Sequence, residues 1–144
     1  MEGKQENERA SKFGFENLEF FVCESIFNED FPKGKITLVS EKVYEKLAYR
    51  GTSEGIIGIF KNKSEQLNNF QPQQNSTLIV VESVEKPGNL GAILRSCEAF
   101  GIDALIITDA KVDFFNPNVI RSSVGCVFGM KIFQSTNKET FDFL

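Results

Sequence analysis

Two short apolar runs with an amphipathic segment between them dominate the hydrophobic pattern of the chain. Residues 78–81 and 104–107 are rich in β-branched side chains, as is typical of strands that are buried on both faces. Between these runs, five apolar residues recur at helical spacing: Leu90, Ile93, Leu94, Cys97 and Phe100. Gly101 follows, where a helix would end. The pattern predicts a strand–helix–strand unit with parallel strands and a right-handed crossover.

Three further elements are predicted after this unit. Asn116 can cap a short helix that has Pro117 at its first position and ends by Gly125. Residues 126–133 then read as a third strand. Thr136 and Glu139 have the spacing of a capping box, so a last helix should begin there. Because the sequence stops about two turns into this helix, we expect a truncated α/β domain.

The first part of the chain shows a similar alternation on a smaller scale. Residues 1–12 suit an exposed helix, and apolar runs predict strands at residues 18–23, 36–39 and 55–60. Ser40 should cap a helix that residues 50–52 close. Its apolar face would consist of Val43, Tyr44, Leu47 and Ala48. Residues 1–60 therefore read as a small βαβ-type module.

A polar segment separates this module from the second half. Residues 61–76 are mostly Asn, Gln, Ser and Lys. Their composition favours a linker between a module at 1–60 and a domain at 77–144. The alternative is a surface helix and loop within one domain.

Composition narrows the possible chemistry. The chain of 144 residues is 41% apolar and 25% charged, as in soluble globular proteins, and it contains no His. The usual general base and the commonest metal ligand are therefore missing. The three Cys lack CxxC spacing, which favours buried reduced thiols in a cytoplasmic protein and no metal site. No run reaches membrane-spanning length. A net charge of −4 argues against simple phosphate-tracking binding and leaves RNA binding through a local patch.

The polar residues Lys86, Asn89 and Arg95 gather where the first strand of the βαβ unit ends, the edge at which open α/β sheets bind ligands. The segment lacks both common nucleotide-binding glycine patterns. A guanidinium beside a helix N-terminus suits a phosphodiester or a carboxylate. The alternative is structural, with Asn89 capping the helix and Arg95 paired with Glu98 or Glu82.

The segment PGNLGAILRSCEAFG resembles the first signature motif of the SpoU (TrmH-like) RNA ribose methyltransferases of the SPOUT superfamily. The matching positions are Pro87, Asn89, Gly91, Arg95, Ala99, Phe100 and Gly101. The run from Asn116 through Arg121 to Gly125 is similar to a later family segment, from which Cys126 departs slightly. Upstream, EGKQENERASKFG and EKVYEKLAYRGTSEGIIGIF resemble the small substrate-RNA-binding domain of many members.

This resemblance implies methyl transfer from S-adenosylmethionine to a ribose 2′-hydroxyl of ribosomal or transfer RNA. It implies a homodimer in the complete protein, with the cofactor in a C-terminal trefoil knot. Asn89 and Arg95 match the catalytic positions of the family. Lys86 and Arg121 are the expected RNA-binding residues, and Ser135 and Thr136 the remaining cofactor contacts.

Two later signatures of the family are missing: the Asn/Gly-Glu-x-x-Gly segment and the Ser-Leu-Asn-Val knot segment. The expected fold is α/β, with a small N-terminal α/β substrate-binding module followed by the first part of a parallel-sheet SPOUT (trefoil-knot) domain that lacks the knot region. We expect this chain alone neither to bind the cofactor nor to methylate. A non-catalytic RNA-binding or dimerisation module remains the alternative, ahead of another kind of nucleotide-binding α/β domain.

Overall fold

The computed structural model describes residues 1–30, 32–49 and 54–144, and within these ranges the chain forms five α-helices and six β-strands. They fall into two compact units, Met1–Asn62 and Lys63–Leu144. Each unit has its own three-stranded sheet. No helix in the described ranges is both long and apolar enough to cross a membrane.

The first unit is a mixed sheet with two helices. Its elements are α1 (Lys4–Lys12), β1 (Asn17–Val22), β2 (Ile36–Leu38), α2 (Glu41–Leu47) and β3 (Ile56–Phe60). The strand order is β2-β1-β3, with β2 parallel and β3 antiparallel to β1. The elements are those predicted, but the βαβ interpretation is wrong. Helix α2 joins two strands that run in opposite directions and are not neighbours in the sheet.

The core of this unit lies on one face of the sheet. Phe20, Val22, Phe27 and Ile56 form the buried cluster. In α2 only Tyr44 is buried, at 1% exposure, whereas Val43 and Leu47 are about half exposed. The predicted apolar face of α2 is therefore only partly correct. Ser40 occupies the N-cap position without a side-chain cap bond, and the predicted closure at residues 50–52 lies outside the described residues.

The second unit contains the predicted parallel sheet. Its elements are β4 (Leu78–Glu82), α3 (Pro87–Ala99), β5 (Ala104–Thr108), α4 (Pro117–Ser122), β6 (Ile132–Ser135) and α5 (Asn137–Phe143). The order is β4-β5-β6, and both pairs are parallel. Gly101, with φ +65°, ends α3 as the sequence predicted. This confirms the strand–helix–strand unit.

The central strand β5 is buried along its whole length, because elements cover both faces of the sheet. Ala104 and Ile106 pack with Leu67 and Phe133 on one face. The alternating residues of β5 point to the opposite face. Leu67 lies in the polar segment 61–76 that composition predicted as a linker. The boundary after Asn62 divides this segment, and most of it packs as part of the second unit.

Two predictions that rested on apolar residues failed. Within residues 126–133, Cys126–Phe128 forms a 3₁₀ turn, and the strand begins only at Ile132. Val124 and Gly125 both have left-handed backbone (φ +53° and +73°), which turns the chain before the run. Phe100, predicted on the buried face of α3, is 83% exposed at the C-cap.

The capping box of α5 forms as predicted. The Thr136 hydroxyl accepts a hydrogen bond from the Glu139 N–H (3.2 Å), and a Glu139 carboxylate oxygen accepts one from the Thr136 N–H (2.8 Å). The hydrogen bond from the Thr136 backbone is the larger cause that lowers the pKa of Glu139 below its ordinary 4.5, and the bond from the Thr136 hydroxyl is the second. The carboxylate is fully exposed, so solvent screens this effect.

Thr136→Ala should lower the free energy of unfolding by about 1 kcal/mol at pH 7, the usual cost of losing an N-cap. Folding lowers the pKa of Glu139. Its ionised carboxylate therefore stabilises the fold at pH values above the ordinary pKa, and this stabilisation is lost as the pH falls through the folded-state pKa. The difference between wild type and variant in urea unfolding should therefore shrink from pH 7 to about pH 3. An equal difference at both pH values would contradict the reciprocal box.

Candidate functional site

The candidate site lies at the carboxyl edge of the parallel sheet in the second unit. Strand β4 ends at Glu82, and α3 begins at Pro87, so the polar residues of the connection and of the first turn of α3 meet this edge. Strands β5 and β6 end on the same side at Thr108 and Ser135, because all three strands are parallel. Ligands of open α/β sheets bind at such edges.

The start of α3 differs from the sequence prediction. Pro87 and Gly88 are the first two residues of the helix and do not form a separate turn, and Lys86 is the N-cap. Asn89 is the third helical residue, so the alternative in which it caps the helix is wrong. No side chain caps α3, and its first turn contains no acidic residue. In contrast, side chains cap both α4 and α5. The positive end of the α3 dipole is therefore open to an anion.

Gly91 fixes α3 against α4. A Cβ atom at this position would lie 2.6 Å from the Ser122 Cβ atom and 2.7 Å from the Ser122 carbonyl carbon. The Ser122 hydroxyl lies 3.2 Å from the Pro87 carbonyl oxygen and 2.6 Å from that of Asn118. The sequence predicted that Gly91 admits a backbone or a ligand, and the structure shows the backbone of α4.

The exposed face of α3 carries both predicted catalytic residues. Asn89 and Arg95 are exposed, whereas Leu90 and Leu94 are fully buried. Six residues correspond to about 9 Å along the helix axis and place the two side chains about 120° apart around it. They therefore flank the exposed face from two sides. The sequence interpretation had placed them on one side of the helix.

The other predicted RNA-binding residues lie nearby in the chain fold. Lys86 is exposed at the N-cap of α3, and Arg121 is exposed in the last turn of α4, which packs on α3. Three cations, with Arg95, thus belong to two packed helices.

The two carboxylates proposed as partners of Arg95 are engaged elsewhere. Glu82 accepts a hydrogen bond from the Asn137 amide (2.8 Å). Glu98 accepts one from the Cys126 thiol (2.7 Å). Neither of these two contacts involves Arg95.

The ends of the strands are joined by one side chain, and we call this group the Asn137 clasp. The Asn137 amide nitrogen donates to Glu82 (2.8 Å) and to Asp109 (2.6 Å), while its amide oxygen accepts from the Thr108 hydroxyl (2.8 Å). Ser83 and Asp109, which directly follow β4 and β5, have left-handed backbone with φ +49° and +45°. For residues other than Gly, this conformation costs about 1–3 kcal/mol and tends to occur at functional sites.

The predicted cofactor contacts lie at the end of β6. The Ser135 hydroxyl is 2.7 Å from that of Thr140, and Thr136 uses its hydroxyl in the capping box. Ser135 also lines a cavity of about 360 Å³, together with Phe114, Glu139 and residues 64–68. Of the two residues, Ser135 is therefore the better placed to face a ligand.

Comparison with known proteins identifies this unit. Residues 76–142 match the model of the SpoU rRNA Methylase family. Over these residues the second unit matches a SpoU methylase domain. Over 150 residues the chain is 29% identical to human rRNA methyltransferase 3, mitochondrial. This match covers 97% of this chain and 36% of that protein.

Solved structures agree with the SpoU assignment. A crystal structure of an RNA 2′-O ribose methyltransferase has a TM-score of 0.83 at 34% identity, covering 99% of this chain and 57% of that one. An AdoMet-bound rRNA methyltransferase from Sinorhizobium meliloti has a TM-score of 0.84 at 23% identity, covering 99% and 56%. These matches confirm the predicted α/β SPOUT fold. The chain spans between about a third and three-fifths of the length of these proteins.

The thiols of the chain are structural. Cys23, Cys97 and Cys126 are all free and buried, and burial raises the pKa of the Cys97 thiol. Among the described residues, no group of three or more His, Cys, Asp or Glu side chains could hold a metal ion.

Sequence reasoning missed the Asn137 clasp. Its hydrogen bonds join residues that are 28, 29 and 55 positions apart, and no sequence pattern singled out Asn137. The available signal was a set of polar residues at or just after the ends of β4, β5 and β6, because parallel strands bring such residues to one edge.

Proposed function

We propose that this chain is part of an S-adenosylmethionine-dependent RNA 2′-O-methyltransferase and that α3 carries the RNA-facing part of its site. The observation that supports this proposal most strongly is that no side chain caps the N-terminus of α3. The exposed flanks of the helix carry Asn89 and Arg95. Ribosomal RNA is the favoured substrate, because relatives of the SpoU domain are named as rRNA methyltransferases. Transfer RNA remains the second substrate class. The resemblance further assigns residues 1–60 to binding of the substrate RNA.

Arg95 suits binding and charge stabilisation better than proton transfer. A guanidinium has a pKa above about 12 and is a poor free base. It can instead hold a phosphate of the target through paired N–H bonds and stabilise the alkoxide that forms at the 2′-oxygen. Asn89, with one amide donor group and one acceptor, can orient the ribose. The phosphate can also approach the open N-terminus of α3 beside Lys86.

S-adenosylmethionine supplies the sulfonium methyl group, and the AdoMet-bound relative supports this choice of cofactor. Ser135 is the residue of this chain that we assign to the cofactor, since it lines the cavity beside the end of β6. The work left to the protein is alignment of the 2′-oxygen with the methyl group. We propose that this chain alone does not complete the cofactor site, because the two later family signatures are missing from it.

The exposed face of α3 also supports a homodimer. Around the helix, the strip between the Asn89 flank and the Arg95 flank consists of the small residues Ala92, Ser96 and Ala99. At its C-terminal end lies Phe100, which is 83% exposed. Small side chains allow a second helix to approach closely, and one large apolar residue can anchor it. We therefore assign the strip of Ala92, Ser96 and Ala99 to contact with a second copy in the complete protein, and the flanking Asn89 and Arg95 to RNA.

The test is binding to the wild-type chain. Labelled bacterial ribosomal RNA should bind with an affinity that falls steeply with salt, as expected when several cations contact phosphates. Calorimetry should detect no micromolar binding of S-adenosylmethionine. Micromolar cofactor binding would contradict the incomplete cofactor site, and no RNA binding at low salt would contradict the RNA-facing role. The non-catalytic RNA-binding module is favoured if RNA binds but no extended form of the protein transfers methyl groups.

A further inference from the structure

Asn137 makes more polar contacts at the sheet edge than any role as the first residue of α5 requires. Its amide group donates to Glu82 after β4 and to Asp109 after β5, and it accepts from Thr108. The cap of α5 is supplied separately by Thr136. The donor and acceptor capacity of the Asn137 side chain is therefore used to connect strand ends and not to start the helix.

The residues that the clasp connects hold an unusual backbone. Ser83 and Asp109 have positive φ without being Gly, which persists only where surrounding contacts fix it. The Ser83 N–H donates to the Thr108 carbonyl (2.9 Å), and the Asp109 N–H donates to the Ser135 carbonyl (2.9 Å). The clasp holds the side chain of Glu82, which directly precedes Ser83. It also holds the side chain of Asp109, which has the unusual backbone itself. It also places one amide donor group between two carboxylates that would otherwise repel.

This edge determines where α3 begins. Only residues 83–85 separate Glu82 from the N-cap Lys86, so the direction in which the chain leaves β4 sets the position of the helix start. From the other side, Ser122 contacts the Pro87 carbonyl. The first turn of α3, which carries Asn89, is thus held between α4 and the strand ends.

We propose that Asn137 is a positioning residue for methyl transfer, which acts by fixing the start of α3 and through it the RNA contacts of Asn89 and Arg95. The proposal rests on the function proposed above, since it assumes that α3 faces RNA. Asn137 itself need not touch the RNA.

The test is a double-mutant cycle on RNA affinity. Asn137→Ala removes the clasp without changing charge, and Asn89→Ala removes the group on the first turn of α3 through which it acts. Affinity for labelled bacterial ribosomal RNA should fall about three- to tenfold on Asn137→Ala, but by less than about twofold when Asn89 is already Ala, because sites coupled through a backbone shift are not additive. Gln134→Ala is the matched control. Within the described ranges the Gln134 amide donates to the Val112 carbonyl alone (3.4 Å), near the same edge, so RNA affinity should not change.

A second variant covers loss of folding. Thr108→Val keeps the shape of a buried residue and removes only the hydroxyl donor to Asn137, so it should weaken RNA binding in the same direction by a smaller factor. Equal effects of Asn137→Ala in both backgrounds, or no effect of either clasp variant, would overturn the positioning role. If Arg95→Ala itself leaves RNA affinity unchanged, the proposed function fails, and this outcome is distinct from failure of the clasp alone.

Discussion

Gly91→Ala is expected to lower the free energy of unfolding by about 2 kcal/mol, although alanine is the better helix former. Overpacking typically costs about 1–3 kcal/mol. Here the added Cβ atom would lie 2.7 Å from a backbone atom of Ser122, which cannot rotate away. Relief therefore requires α3 and α4 to separate, which puts the cost at the upper end of that range. The gain in helix propensity returns only about 1 kcal/mol.

Gly88→Ala is the matched control for this prediction. Gly88 belongs to the same helix, and a Cβ atom there would meet nothing within 4 Å. This variant should be unchanged or stabilised by up to about 1 kcal/mol. Urea unfolding of both variants measures the difference. Equal stability of Gly91→Ala and Gly88→Ala would contradict the close approach of α3 and α4.

Arg95→Ala should weaken binding of ribosomal RNA by about tenfold or more. A hydrogen bond to a charged group contributes about 1.5–3 kcal/mol, and each 1.4 kcal/mol is a factor of ten in affinity. Loss of one phosphate contact should also reduce the slope of log affinity against log salt by about one. Arg95→Lys should retain part of the affinity, because it keeps the charge and loses the paired N–H geometry. Filter binding across a salt series measures both quantities.

Lys131→Ala is the charge-matched control. Lys131 directly precedes β6, at the opposite edge of the sheet from the candidate site, and its ammonium lies over the Phe70 ring. Its removal should change RNA affinity much less than removal of Arg95. If both variants lose affinity equally, binding depends on overall charge and not on the flank of α3.

Local chemistry explains most of what the sequence predicted correctly. The box of Thr136 and Glu139 depends on residues three positions apart, and the cap of α4 by Asn116 depends on a contact two positions away. Strand β5 was recognisable because a strand covered on both faces is apolar along nearly its whole length. These features need no knowledge of the tertiary structure.

Failures occurred where the tertiary structure decides between equivalent local patterns. The apolar run at residues 126–133 contains both a buried 3₁₀ turn and a buried strand, and hydrophobicity alone cannot separate them. In the same way, Val43 and Leu47 have the spacing of a buried face, but only Tyr44 of α2 reaches the core. Phe100 likewise has the spacing of the buried face but lies at the C-cap of α3 and is 83% exposed.

The candidate site was predictable in its residues but not in its arrangement. Spacing and family resemblance indicated Asn89 and Arg95, and α3 displays both on its surface. Pro87 could have shown that the helix starts two residues before Asn89, since proline favours the first helical position. The Asn137 clasp had no local signal, because its bonds span between 28 and 55 positions.

The most direct test of the central claim is the footprint of RNA on this chain. Backbone amide chemical shifts should be followed while ribosomal RNA fragments are added at low salt. If α3 is the RNA-facing part of a methyl-transfer site, the largest changes in the second unit should occur at Lys86, Asn89 and Arg95, with a further change near Arg121. Changes confined to the first unit, or to the opposite edge of the sheet near Lys131, would contradict the claim.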